Sequence, residues 1–240
     1  MAPGGTGLSV AFSEEQRALQ ATAERFAKEK LAPAYQARER QAAIDRALVC
    51  EMGALGLIAG DLPEQYGGLS LPSETSGLII EALAYGDVNV AYVQLLGSLC
   101  GQIIAHHAAE KLAAEWLPRI VSGESLVALA LTEPRGGSDA ANLALSARSS
   151  DAGYVLNGEK SSISIADQAD AVLVFARTGR TEDAARGISA FLVPMNSAGV
   201  TTSRFNDLGS KAMGRGSIFL MMLRCRGRIG SAQRAPALSR

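Results

Sequence analysis

Aromatic residues make up only 5% of this 240-residue chain, with a single Trp, and cysteine occurs three times, at Cys50, Cys100 and Cys225. Three widely spaced cysteines without metal-ligand partners exclude a disulfide framework and a zinc site; buried thiols are the expectation. An excess of one charge is also missing. The 23 Lys and Arg against 24 Asp and Glu leave a formal net charge of -1, scattered rather than striped, so no electrostatic footprint for nucleic acid exists. The two histidines, His106 and His107, close a helical stretch with no acid or nucleophile at ligand spacing, which makes their expected role structural. No apolar run approaches the length of a membrane span, and residues 1–7 lack both a basic start with an apolar stretch and an Arg-rich amphipathic pattern. A membrane is therefore not an expected partner, and the expected compartment is the cytoplasm. Internal repeats are absent too. What the chain has in quantity is apolar residues, 48%, enough for the core of one large or two ordinary domains.

The chain divides into halves of different periodicity. Helical spacing governs 13–31, 42–56, 74–85, 90–106 and 110–121, with breaks at Pro33, Pro63, Gly67, Gly68, Pro72 and Gly86. Ser13 followed three residues later by Gln16 is a capping-box start. Residues 92–104 are nearly all apolar and belong inside the bundle. After Gly123, short runs rich in β-branched and apolar residues occupy 127–132, 154–156, 171–176, 188–193 and 200–205, and 178–186 forms an exposed polar loop. The pattern predicts an α+β chain: an all-α helical bundle over 1–124, then an antiparallel β-barrel or sandwich over 125–219. Asn157-Gly158 between strand-like segments predicts a two-residue hairpin turn, with Ser164 on the returning strand.

The stretch from Leu131 through Thr132-Glu133-Pro134-Arg135-Gly136-Gly137-Ser138-Asp139 runs an apolar strand into a Pro/Gly turn bearing a hydroxyl and a carboxylate. Paired glycines let backbone approach a ligand, and N–H groups at a tight turn form an anion-binding concavity without Lys. By itself such a loop is equally an ordinary surface turn. Glu133, an acid followed by Pro at a turn, reads as structural rather than as a catalytic base. Four ordered segments carry more weight: the opening Phe12-Ser13-Glu14-Glu15-Gln16-Arg17; Leu55-Gly56-Leu57 with Pro63-Glu64-Gln65-Tyr66-Gly67-Gly68-Leu69; Tyr154 to Lys160 with Ile163-Ser164; and Leu208-Gly209-Ser210-Lys211-Ala212-Met213-Gly214-Arg215-Gly216-Ser217. Together with the loop they give the chain, over about residues 12–219, a resemblance to the acyl-CoA dehydrogenase flavoproteins.

That resemblance implies FAD as cofactor, an acyl-CoA thioester as substrate, and α,β-dehydrogenation to a trans-enoyl-CoA. It implies that the backbone around Leu129, Leu131 and Thr132, with the Thr132 hydroxyl, contacts the flavin ring. Gly137 and Ser138 correspond to the pyrophosphate loop, with Ser138 also toward the substrate, and Ser164 to the hydroxyl residue near flavin N5. Ser162 stands where many relatives carry an aromatic residue over the flavin, which leaves room for a branched or cyclic acyl group. The resemblance further implies an electron-transfer flavoprotein as acceptor, a homotetramer or dimer as assembly, and a glutamate base from a C-terminal helical domain. No residue of this chain is therefore assigned as catalytic. Two other readings keep the fold: a non-catalytic FAD/acyl-CoA-binding or interaction module, and a related flavin oxidase or monooxygenase. From Leu220 onward the sequence departs from the family, where ATG codons for Met221 and Met222 read in another frame encode Asp-Asp; 220–240 are expected to be a disordered, frameshifted tail.

Overall fold

A computed structural model describes residues 12–225 and 227–229. Six α-helices come first: α1 (Glu14–Phe26), α2 (Tyr35–Gln41), α3 (Arg46–Ala54), α4 (Ser73–Gly86), α5 (Val88–His107) and α6 (Glu110–Val121). Their starts follow local chemistry. The Ser13 hydroxyl accepts from the Gln16 N–H at 3.2 Å while Gln16 Oε1 accepts from the Ser13 N–H at 2.9 Å, completing the box ahead of α1. Asp45 and Asp87 cap α3 and α5 by single bonds, their carboxylates accepting from the N–H groups of Ala47 and Asn89. Beyond α1 the helix continues as a π turn over Ala27–Leu31, and after Pro33 a separate α2 forms that sequence spacing does not predict. Arg38 explains it: its buried guanidinium bonds Asp87 and the Leu31 carbonyl, so α2 is held by tertiary contact rather than by an apolar stripe.

Helix α5 is the spine of the helical half. At 20 residues with a mean hydropathy of 1.4 it is long and apolar enough to cross a membrane, which corrects the expectation that no run reaches that length. Val90, Val93, Leu96, Cys100 and Ile104 are buried against neighbouring elements, which accounts for the composition. Gly97 and Gly101 let the loop after α3 approach: a Cβ on Gly101 would meet Leu62 Cδ1 at 2.7 Å. Cys100 lies fully buried, and burial pushes its thiol up to about 12. Cys50 is exposed and Cys225 half-buried, so the expectation of three buried thiols holds for one of them.

Seven strands follow: β1 (Val127–Ala130), β2 (Ser146–Ser150), β3 (Gly153–Ile163), β4 (Ala171–Arg177), β5 (Ile188–Pro194), β6 (Val200–Arg204) and β7 (Gly216–Cys225). They form one sheet in the order β1-β4-β2-β3-β7-β6, with β5 on β4. The expected antiparallel sheet is only partly found. β1 pairs β4 in parallel, from Val127↔Ala171 to Ala130↔Val174, and β2 meets β4 in parallel through Ser146↔Arg177, whereas β2-β3, β3-β7, β4-β5 and β6-β7 are antiparallel. The long excursion through β2 and β3 between β1 and β4 supplies the crossover that parallel neighbours need. Because the Ser161 N–H also donates to the Thr132 carbonyl at 2.9 Å, the end of β3 returns to the exit of β1 and the mixed sheet curls into a half-barrel.

Two local expectations are corrected. Asn157 and Gly158 do not form a hairpin turn: they lie inside β3 at a bulge, and the reversal between β2 and β3 is made by Asp151 and Ala152. Gly158 has φ 145, and a Cβ there would come within 3.0 Å of Leu145 Cα, so a close backbone approach rather than a turn accounts for the glycine. The boundary at 219 is also corrected. β7 runs on to Cys225, with Leu223 opposite Leu156 and Cys225 opposite Tyr154, and the Ile229 N–H donates to the Ala190 carbonyl at 2.7 Å. Leu220 and Leu223 point inward, while Met221 and Met222 bulge outward opposite Asn157. Position 226 and positions 230–240 of the expected disordered tail lie outside the described residues.

Side chains tie the two halves together. Gln168 accepts from the Ile44 N–H at 2.8 Å and donates to the Ala212 carbonyl at 2.9 Å; Asp170 binds Arg46 and the Leu126 N–H; Glu39 accepts from the Lys211 N–H at 2.8 Å.

Candidate cofactor-binding site

Where β1 ends, Glu133, Pro134, Arg135 and Gly136 close a tight turn: Glu133 and Gly136 exchange N–H to carbonyl bonds of 3.2 and 3.0 Å, with Pro at the second position. The loop beyond is fixed at its far end as well. Arg135 donates to the Asn142 carbonyl at 3.2 Å, and Arg177 donates to the Ala141 and Leu143 carbonyls. Between these anchors the N–H groups of Gly137 and Ser138, and the Ser138 hydroxyl, form no hydrogen bond among the described residues. Ser138 is exposed. Fixed backbone donors left free at a glycine turn suit an anion such as a pyrophosphate.

The loop's near end is locked by a buried ion pair. Glu133 Oε2 accepts from the Ala144 N–H at 2.7 Å, and Oε1 accepts from the Leu145 N–H and from Lys160 Nζ, each at 2.9 Å. Lys160, fully buried on the inner face of β3, gives a second bond of 2.9 Å to the Leu131 carbonyl. Burial pushes the Glu133 carboxyl up, but the Leu145 and Ala144 N–H groups and then Lys160 outweigh it and hold the pKa below its ordinary value. For Lys160 burial dominates and pulls the pKa down, only partly opposed by Glu133. Glu133 is thus committed to structural bonds.

Of the residues expected to face a flavin, Leu131, Thr132 and Gly137 come together. The Thr132 hydroxyl oxygen lies 3.1 Å from where a Gly137 Cβ would stand, so only glycine permits this approach without displacement. Leu129, half-buried, sits one turn of the pleat back on β1 opposite Leu173. Ser162 is exposed near the end of β3 with φ 59, next to the Ser161 whose N–H holds Thr132. Ser164 lies beyond the strand rather than on it, half-buried in a turn whose next two N–H groups, of Ile165 and Ala166, bind the Met213 and Gly214 carbonyls. Ser138 stands apart on the loop. Sequence reasoning missed Lys160 and Ser161; no local signal marks either, since a lysine in a strand reads as solvent-facing and only the fold buries it. Among the described residues no group of three or more His, Cys, Asp and Glu could hold a metal.

The donor set fits FAD by its chemistry: a strand exit with a free hydroxyl for the ring and an anchored glycine turn for the pyrophosphate. Comparison with known proteins agrees. Residues 13–124 match the acyl-CoA dehydrogenase N-terminal domain, and residues 128–221 the middle domain. A curated relative, the mitochondrial isovaleryl-CoA dehydrogenase of Pongo abelii, is 35% identical over 201 residues, covering 82% of this chain and 47% of the relative. The chain spans about half the length of the curated relatives it matches. Among solved structures, a glutaryl-coenzyme A dehydrogenase with glutaryl-CoA superimposes with a TM-score of 0.87 at 28% identity, covering 92% of this chain and 57% of that one. A glutaryl-CoA dehydrogenase from Mycobacterium smegmatis in complex with FADH2 gives 0.82 at 27% identity, over 90% and 54%.

Proposed function

The chain belongs to the acyl-CoA dehydrogenase family, and from that premise we propose that it forms the helical and middle-β part of an enzyme that dehydrogenates an acyl-CoA thioester to a trans-enoyl-CoA. FAD, when bound, supplies the hydride acceptor. In this reading the strand exit at Leu129, Leu131 and Thr132 orients the flavin ring, Gly137 and Ser138 bind the pyrophosphate, and Ser138 also borders the substrate. Ser162 and Ser164 line the ring's other approaches, and the serine at 162 favours a branched or cyclic acyl group. The observation that carries the proposal is the glycine turn held at both ends with the Gly137 and Ser138 donors left free. The base comes from the part of the relatives that this chain does not span; an electron-transfer flavoprotein is the acceptor, and the assembly is a homotetramer or dimer.

The test is a fluorescence titration of the purified chain with FAD. Binding is expected, and Ser138→Ala weakens it about tenfold, because a hydrogen bond to a charged acceptor is worth about 1.5 to 3 kcal/mol. Absence of binding overturns the proposal, and an unchanged affinity in the variant removes Ser138 from the site. Binding without turnover of any acyl-CoA, even after the C-terminal half of a relative is supplied, favours a non-catalytic binding module.

A further inference from the structure

A strand interior seldom holds a fully buried lysine, and Lys160 gives its bonds to two particular acceptors, the Glu133 carboxylate and the Leu131 carbonyl, each at 2.9 Å. The Leu131 carbonyl and the Thr132 N–H belong to one peptide unit, which is planar and trans, so they point in opposite directions. A carbonyl drawn inward by the ammonium turns the Thr132 N–H away from it. That N–H forms no hydrogen bond among the described residues, nor does the Thr132 hydroxyl, while the Thr132 carbonyl is fixed by Ser161 at 2.9 Å. The carboxylate that holds the ammonium also gathers the Ala144 and Leu145 N–H groups, so one ion pair fixes three segments: the exit of β1, the far side of the glycine turn, and β3. The N–H groups around Glu133 hold its carboxyl below the ordinary value despite burial, and the Lys160 ammonium gives the carboxylate its third bond.

We propose that Lys160 and Glu133 are a positioning pair: by holding the Leu131 carbonyl inward they aim the Thr132 N–H as a fixed donor to an electronegative edge of the flavin ring. Neither residue touches the cofactor. The inference rests on the functional reading above and adds a role that an ordinary core contact would not have. A structural brace needs only to keep the fold; a positioning pair needs its charge and direction.

Lys160→Met combined with Glu133→Gln separates the two, because it removes both charges together and leaves no lone buried ion. The double variant is expected to melt close to the wild type, yet to bind FAD about tenfold or more weakly, the scale of one lost bond to an aimed donor. Its flavin absorption band near 450 nm also loses the shift that wild-type binding produces. A double variant with wild-type affinity and spectrum overturns the positioning role and leaves the flavin reading standing; a wild-type chain that binds no FAD overturns both. If the double variant does not fold, the wild type decides. In chain labelled with 15N-threonine, the Thr132 amide signal should move and its hydrogen exchange slow on FAD addition, and an unperturbed Thr132 amide overturns the inference.

Discussion

At the scale of single residues, Glu133 and Lys160 make a pH signature. The Glu133 pKa lies below its ordinary value of 4.5, so the folded state binds this proton less readily than the unfolded chain. Its stabilising contribution is complete above that value and is lost as pH falls through the folded pKa. Lys160 works in the other sense: its lowered pKa is a cost present below the folded value and relieved as pH rises toward 10.5. Glu133 therefore contributes to the acid limb, as does Asp207, whose carboxyl the Arg215 guanidinium also holds below its ordinary value. Denaturant midpoints measured from about pH 7 down to about pH 3 should fall steeply below 4.5 in the wild type. Glu133→Gln should start lower and decline less, and a variant curve parallel to the wild type would refute the assignment. Removing only one partner is harsher. Lys160→Met alone leaves a buried carboxylate unpaired and should cost about 3 to 5 kcal/mol in denaturant unfolding.

At the scale of elements, β3 shows how one glycine can be read in two ways. Asn-Gly between apolar runs is the strongest local hairpin signal, yet here the pair sits mid-strand with Gly158 at φ 145 and its α-carbon facing the Leu145 backbone. Gly158→Val is expected to destabilise by roughly 1 to 3 kcal/mol through strain and displacement of Leu145. Calorimetry that found the same melting temperature would remove that contact from the account of β3. β7 offers the companion case. Met222 adopts φ 50 at an exposed bulge, a conformation that glycine or asparagine takes with less strain. Met222→Gly should leave the fold intact and raise the denaturation midpoint slightly, and a loss of stability would argue against the bulge.

At the scale of the whole molecule, the helical half and the curled sheet meet through Gln168, Asp170 and Glu39, while α5 packs along β1 with the Cys100 thiol against the Val127 carbonyl at 3.6 Å. The strand that carries the candidate flavin contacts is therefore backed by the most buried helix. Such backing holds a binding edge still, while the carboxylate next to the strand exit, Glu133, is engaged by the Ala144 and Leu145 N–H groups and by Lys160. The expected outcome is that the chain alone retains flavin weakly and reduces no dye with any acyl-CoA supplied anaerobically. Sustained turnover by the purified chain would contradict the view that its base lies elsewhere.

Local signals were enough for much of this. The capping box at Ser13 and Gln16, the break at Pro72 and the apolar run through α5 specify helices from short-range chemistry, and the β-branched runs mark β1, β4, β5 and β6. The family and the cofactor class came from resemblance, carried by the loop around Gly136-Gly137-Ser138 together with four ordered segments elsewhere in the chain. Partners distant in sequence were not legible. β2, with the polar pattern Ser-Ala-Arg-Ser-Ser, is a strand only because β3 lies beside it, and α2 exists because Arg38 finds Asp87 across 49 residues. The parallel pairing of β1 with β4 depends on how the intervening hairpin folds back, which periodicity does not encode. Lys160 was hidden for the same reason. A lysine in a strand reads as solvent-facing until tertiary structure brings Glu133 and the Leu131 carbonyl to its ammonium, since burial of a charge is tolerated only where such partners converge.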